Sequence, residues 1–204
     1  MNYTELKALA LAYSDREDTE VINRLDDFLK VVEARLSRKL KVGEMSTRSI
    51  TNTVAGTEYY SLPDDFAGLR DIEIKDSITS TEKTTLKYLT PERSNYYSSV
   101  NMPGIYYTLV ANQIQLIPAQ QDNIMEVIYY KKLTPLSAAA PTNWLSINFP
   151  DCYLFGIMTE ICAFVKDSES AQLWGARYVE AITEIEYDDK MTRWSGTSLQ
   201  VTTE

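Results

Sequence analysis

The apolar residues Val21, Leu25, Phe28, Leu29, Val32, Leu36 and Leu40 recur at helical spacing and predict one long helix with a single buried face. Asp18 or Thr19 can cap its start, behind a break at Ser14-Asp15 that closes a shorter helical segment around Leu6, Leu9 and Leu11. On the other side, Arg24 with Asp27, Asp26 with Lys30 and Lys30 with Glu33 are spaced as intrahelical ion pairs, the mark of a solvated or mildly polar face. Gly43 is placed to end the helix as a left-handed cap.

From about Met45 the period changes from helical to alternating. Short runs of β-branched and aromatic residues, divided by Gly, Pro, Asn and Asp, predict strands over 49–54, 58–62, 69–75, 84–88, 105–110, 113–117 and 124–130. In the third, Ile72 and Ile74 point one way and Asp71, Glu73 and Lys75 the other, which predicts a half-buried antiparallel strand. Ala111-Asn112 reads as a tight hairpin, and Thr90 to Arg93 as a helical turn with Pro91 in its first position.

The stretch Thr134 to Thr142, with Pro135, Pro141 and three alanines, punctuates the end of the strand region. Pro150 then opens a helix through Val165 that is apolar nearly all round, so it belongs at the centre of a packed core. Asp167 caps a last helix with an inner line of Trp174, Tyr178, Ala181, Ile182 and Ile185 and an exposed line of Glu180, Glu184 and Asp188. The expected fold class is α+β. A helical bundle built from residues 1–45 and 141–191 carries an inserted antiparallel β-sandwich or barrel, residues 46–140, and an extended C-terminal tail, residues 192–204.

Charge and composition narrow what such a chain can do. Lys and Arg number 20 against 29 Asp and Glu, a net charge of -9, so a sequence-independent grip on nucleic-acid phosphates is not expected. Six of those net negative charges fall in residues 141–204, which hold 4 basic and 10 acidic residues. With 0 histidines the chain cannot use Ser-His-Asp or Cys-His catalysis or a His-containing zinc site. Cys152 and Cys162 lie ten residues apart on one helix, roughly 15 Å, too far for a disulfide, and read as free buried thiols. Residues 1–5 lack a basic start followed by an apolar core, and no stretch approaches 18 uninterrupted apolar residues. Synthesis in a cytoplasm without membrane insertion is the expectation.

Chemistry-bearing patterns are few. The 7 glycines never cluster into a phosphate-binding loop. Ser80-Thr81-Glu82-Lys83 matches the Ser-x-x-Lys of acyl-enzyme hydrolases but lacks its partner motifs and reads as a polar loop. The carboxylate pairs Asp26-Asp27, Asp64-Asp65 and Asp188-Asp189 are sequence neighbours, whose side chains diverge on any regular backbone. No catalytic, metal or cofactor-binding residue is assigned. The 14 tyrosines include the doublets Tyr59-Tyr60, Tyr96-Tyr97, Tyr106-Tyr107 and Tyr129-Tyr130, which should place one ring of each inward and one outward.

The order of several short stretches resembles the head-to-tail adaptor, or tail tubular and connector, proteins of tailed bacteriophages. They are Tyr60-Ser61-Leu62-Pro63-Asp64-Asp65-Phe66 followed by Leu69-Arg70; Pro103-Gly104-Ile105-Tyr106 leading to Ile114-Gln115-Leu116-Ile117-Pro118; Tyr129-Tyr130; Thr142-Asn143-Trp144-Leu145 with Pro150-Asp151 and Tyr153-Leu154-Phe155-Gly156; and Asp188-Asp189 through Trp194-Ser195-Gly196. The resemblance implies a non-enzymatic virion protein of the neck, without cofactors, forming a homo-oligomeric, dodecameric ring. It would lie between the portal protein and a tail nozzle or tail tube protein, with double-stranded DNA passing through unbound. Trp194 and Leu199, in the polar tail, are then candidates to contact the portal. In such a ring Glu180, Glu184 and Asp188 would line or border the channel and keep DNA from attaching. Three other readings stay open: another phage neck or tail component, an enzyme working through carboxylates or Lys83, and a β-sandwich binding module using the tyrosine-rich strands.

Overall fold

The computed structural model describes residues 1–16, 18–93 and 103–194. Two compact units emerge: Met1–Glu44 with the segment from Leu133 onward, and Met45–Lys132. The first holds the helices α1 (Tyr3–Ser14), α2 (Thr19–Lys39), α3 (Trp144–Asn148), α4 (Pro150–Phe164) and α5 (Ser168–Trp194). Helix α4 packs against all four others. Its sequence explains the position: Cys152, Tyr153, Leu154, Ile157, Met158, Ile161 and Cys162 are all buried, so several faces need a partner at once.

Helix α1 begins with a capping box in which Asn2 accepts from Glu5 N–H and Glu5 reaches back to Asn2 N–H. It is tied to α2 at Asp26, whose carboxylate accepts from Tyr3 Oη at 2.5 Å and Lys7 Nζ at 2.7 Å. Those two bonds hold the Asp26 carboxyl below its ordinary pKa. Phe28 of α2 meets Phe164 of α4 with centroids 5.5 Å apart, and Arg35 pairs with Glu160. On the far side Trp174 of α5 lies against Phe155 at 5.8 Å and Tyr13 at 6.0 Å.

Several local expectations need correction. Helix α2 ends at Lys39 with an extended Leu40, and Gly43 opens a 3-10 turn instead of a left-handed cap; its N–H donates to Asp189 at 2.6 Å. The face through Asp26, Lys30 and Glu33 is not one solvated stripe. Asp27 pairs with Arg24 and Lys30, Asp26 turns to α1, and Glu33 is buried. Helix α5 continues past Met191 to Trp194, helped by an Asp189–Arg193 ion pair one turn apart, so the tail does not begin at 192.

Among the described residues the second unit forms two four-stranded sheets. Strands β1 (Ser46–Asn52), β8 (Ile124–Lys131), β3 (Phe66–Lys75) and β4 (Thr84–Thr85) form one, in the order β1-β8-β3-β4. The other runs β2 (Tyr59–Ser61), β7 (Gln113–Ile117), β6 (Tyr106–Val110) and β5 (Lys87–Tyr88). Side chains from both build one core, including Tyr60, Ile72, Ile74, Ile114, Leu116, Met125, Val127 and Tyr129. The barrel alternative is overturned: among the described residues the sheets are open and neither closes on itself.

The run expected as one strand over 84–88 serves both sheets. Thr84–Thr85 pairs antiparallel with β3, while Lys87–Tyr88 pairs parallel with β6. Leu86, buried between them, donates its N–H to Ile72 O at 2.9 Å, and Leu89 donates to Tyr107 O at 2.8 Å. The predicted hairpin is present, with Val110 opposite Gln113 and Ala111 at φ 52. Ile72 and Ile74 face the core, and the opposite face carries the pairs Glu73–Lys83, Lys75–Glu126 and Arg48–Glu126. Of the tyrosine doublets, Tyr60 is buried with Tyr59 exposed, and Tyr129 is buried; Tyr96-Tyr97 lies outside the described residues.

At Gly156 three helices converge. A Cβ there would stand 2.7 Å from Val32 Cγ1 of α2 and 3.1 Å from Tyr178 of α5. Gly156→Ala should therefore lower stability by about 1–3 kcal/mol through overpacking, although alanine is the better helix former by about 1 kcal/mol. Denaturant unfolding checks this, and the combined Gly156→Ala, Val32→Ala chain should lose less than the sum of the single changes.

Candidate functional site

The residues that suggested chemistry are held apart or already engaged. Lys83 donates to Glu73 at 2.6 Å, while Ser80 Oγ donates to Glu82 O, so no Ser-Lys dyad forms. Asp65 accepts from Tyr129 Oη at 2.9 Å while the backbone oxygen of Asp64 receives Lys132. Asp189 turns inward to Gly43 and Arg193, and Asp188 turns out. No group of three or more His, Cys, Asp or Glu that could hold a metal ion occurs among the described residues. Cys152 and Cys162 are free and buried, and burial raises both thiol pKa values, that of Cys152 to about 12, which leaves them unreactive.

Glu180, Glu184 and Asp188 are exposed on α5. Leu173, Tyr187 and Met191, each more than half exposed, fall on the side of Glu180. Of the two tail candidates, the side chain of Trp194 and the whole of Leu199 lie outside the described part.

In the first unit a polar cluster is buried whose members are spread over 120 positions of sequence. Glu33 on α2, 5 % exposed, accepts from Leu136 N–H at 2.7 Å and from Tyr153 Oη of α4 at 3.3 Å. Asn143 donates through Nδ2 to Tyr153 Oη at 2.7 Å and to Thr134 O at 2.8 Å, while its Oδ1 caps α3 by accepting from Ser146 N–H at 2.8 Å. Every donor in this set finds an acceptor, as burial demands. The segment 133–143 thus does more than punctuate the chain: Leu133 and Leu136 are buried and its backbone is read by a carboxylate. The helical spacing of Glu33 gave no hint of this, because position 33 lies at the edge of the apolar stripe. Asn143 followed by Ser146, a capping pattern, was the available sign of α3.

This arrangement binds chain segments together. The fold is α+β, helices in one unit and two open sheets in the other among the described residues. The SU10 adaptor protein family matches residues 1–202, and the chain belongs to this family of phage head-to-tail adaptors. No curated protein matches the chain. Membership makes it a structural virion protein of the phage neck that associates with other head and tail proteins, and the family is not an enzyme family. No helix among the described residues is long and apolar enough to cross a membrane.

Burial holds the Glu33 carboxyl above the usual range, against the two hydrogen bonds that favour its charged form. The folded chain therefore keeps this proton to higher pH than the unfolded chain, and the stability linked to it declines as pH rises through the raised value. Glu33→Gln should remove that decline, so its stability relative to the parent should grow as pH rises above about 4. Glu33→Ala, which strands Leu136 N–H and Tyr153 O–H, should cost about 2–4 kcal/mol. Unfolding curves measured across pH decide both.

Proposed function

We propose that this adaptor forms a closed ring, of twelve subunits, between the portal and a tail nozzle or tail tube protein. It is synthesised in the host cytoplasm and incorporated into the neck, where the genome passes through the ring. In this reading the first unit is a helical bundle that meets the portal and the second is an inserted β-sandwich that holds tail components. The residues from Trp194 onward, Leu199 among them, embrace the portal. The observation that carries the proposal is the family match across 1–202. Net charge supports it: with -9 overall, DNA can traverse the ring without specific attachment.

For Glu180, Glu184 and Asp188 a border of the DNA channel is one proposed role, and a protein contact is the one favoured here. The side of Glu180 also exposes Leu173, Tyr187 and Met191, and apolar side chains add nothing to a surface that only has to repel a duplex. Exposed apolar residues gathered on one face point instead to a protein contact.

Mixing the purified protein with its portal and measuring mass should give a complex in which whole rings join the portal. A mixture that stays at the two separate masses would overturn the reading. Deleting residues 195–204 together with Trp194→Ala should leave the melting temperature unchanged, since α5 is anchored by Tyr178, Ile182 and Ile185. The same change should weaken portal binding.

A further inference from the structure

Among the described residues the two sheets end in edges of unequal length. Strand β2 offers 3 residues and β4 and β5 offer 2 each, whereas β1 runs 7 residues, Ser46–Asn52. Among the described residues β1 pairs only with β8, so the backbone groups along its other side meet no strand. Its ladder runs from Ser46 opposite Tyr130 to Asn52 opposite Ile124 without a register shift. It holds no proline or lysine, and its one charged side chain, Arg48, is engaged by Glu126. Ile50, Thr51 and Asn52 are exposed. A bulge, a proline, an unpaired charge or a very short strand would blunt such an edge; a long edge with none of them is a template for another strand.

The C-terminal residues carry a run with the pattern of a strand. After Ser195-Gly196, the residues Thr197, Leu199, Val201 and Thr203 alternate with Ser198, Gln200 and Thr202. Thr197, Val201, Thr202 and Thr203 are β-branched, and no residue from 197 to 203 is charged or proline. The run is as long as β1, about 23 Å when extended. In one chain the end of α5 is held at Gly43, whose N–H Asp189 accepts, three residues ahead of β1. A tail folding back on its own β1 would therefore start at the Ser46 end and run parallel to it. Every pairing in that sheet is antiparallel, the stronger arrangement. An antiparallel partner has to enter from the Asn52 end, and so from another copy.

We propose that residues 197–203 of one copy pair antiparallel with the free edge of β1 in a second copy. Donor and acceptor are different parts of the chain, so each copy gives one strand and receives one, and the series is complete only when it closes on itself. The proposal rests on the ring reading above and supplies the contact that joins its subunits. Main-chain N–H and C=O groups make this contact, as they do wherever an extended segment is added to a sheet edge. The side chains of Trp194 and Leu199 thereby stay available to the portal.

The experiment uses the full chain, alone and with portal. Ile50→Cys is placed in one chain and Leu199→Cys, Gln200→Cys or Val201→Cys in turn in another, so that a pairing displaced by one residue is still found. Cys152 and Cys162 are buried and leave the reaction to the introduced thiols. Facing residues of an antiparallel pair lie about 4.5–5.5 Å apart, within disulfide reach. Mild oxidation should join the two chains into a species of twice the mass of one chain, and both cysteines in one chain should give a ladder of multimers. A second comparison separates backbone from side chain. Ser198→Pro with Val201→Pro, which removes a ladder donor on whichever side faces β1, should weaken self-association at least roughly tenfold in sedimentation, while alanine at both positions should leave it within roughly threefold. A doubly substituted chain that closes its disulfide only within itself would overturn exchange between copies. Multimers that form without any cross-link, or that tolerate the prolines, would overturn the β1 contact while leaving the ring standing. A parent chain that forms no multimer, alone or on portal, would overturn the ring reading and this contact with it.

Discussion

The first unit depends on keeping a carboxylate out of water. Glu33 stands on the inner side of α2, and a charge there is tolerable only while Leu136 N–H and Tyr153 O–H point at it. Those donors arrive from sequence positions more than a hundred residues away, so their joint presence requires that the link has been laid across α2 and that α4 has docked. The neighbouring apolar contacts, Val32 against Gly156 and Phe28 against Phe164, are compatible with small slips along the helices. A hydrogen bond of 2.7 Å is not, and the buried polar set therefore selects one register among several that the apolar side chains alone would accept.

The same arrangement explains how an interrupted chain makes a helical core. Helices α1 and α2 come from before the strand region and α3 to α5 from after it, yet Asn143, Tyr153 and Glu33 bring the two parts to common atoms. Asn143 is economical in this respect, since one side chain caps α3, receives no unpaired burial and ties the link at Thr134 to α4. The strand region has its own core and is held by ladders internal to it.

Much of the fold was legible because it rests on periodic patterns. The stripe from Val21 to Leu36 and the all-round apolar character of Pro150 to Phe164 identify helices and say how deeply each is packed. The alternation at Ile72 and Ile74 does the same for β3. What escaped depends on where single polar groups point. Glu33 has the spacing of a surface ion pair and the environment of a core residue, and no local signal separates the two. Gly43 has the composition of a cap, but it opens a 3-10 turn with its N–H given to a distant carboxylate. On α5 the spacing of Glu180, Glu184 and Asp188 marked them as exposed, and the structure adds that Leu173, Tyr187 and Met191 are exposed on the side of Glu180.

The passage of one short run through both sheets has a mechanical consequence. Thr85 still belongs to the ladder with β3, Lys87 already belongs to the ladder with β6, and only Leu86, itself buried, lies between. There is no slack residue at which one sheet could pivot against the other. A pull that tended to peel the sheets apart would have to break pairing on one side of Leu86 before the other could move, and would expose an apolar side chain in doing so. Traction at this crossing is thus carried as tension along covalent backbone between two zippers, which makes the pair of sheets stiffer under load than two layers joined by a loop.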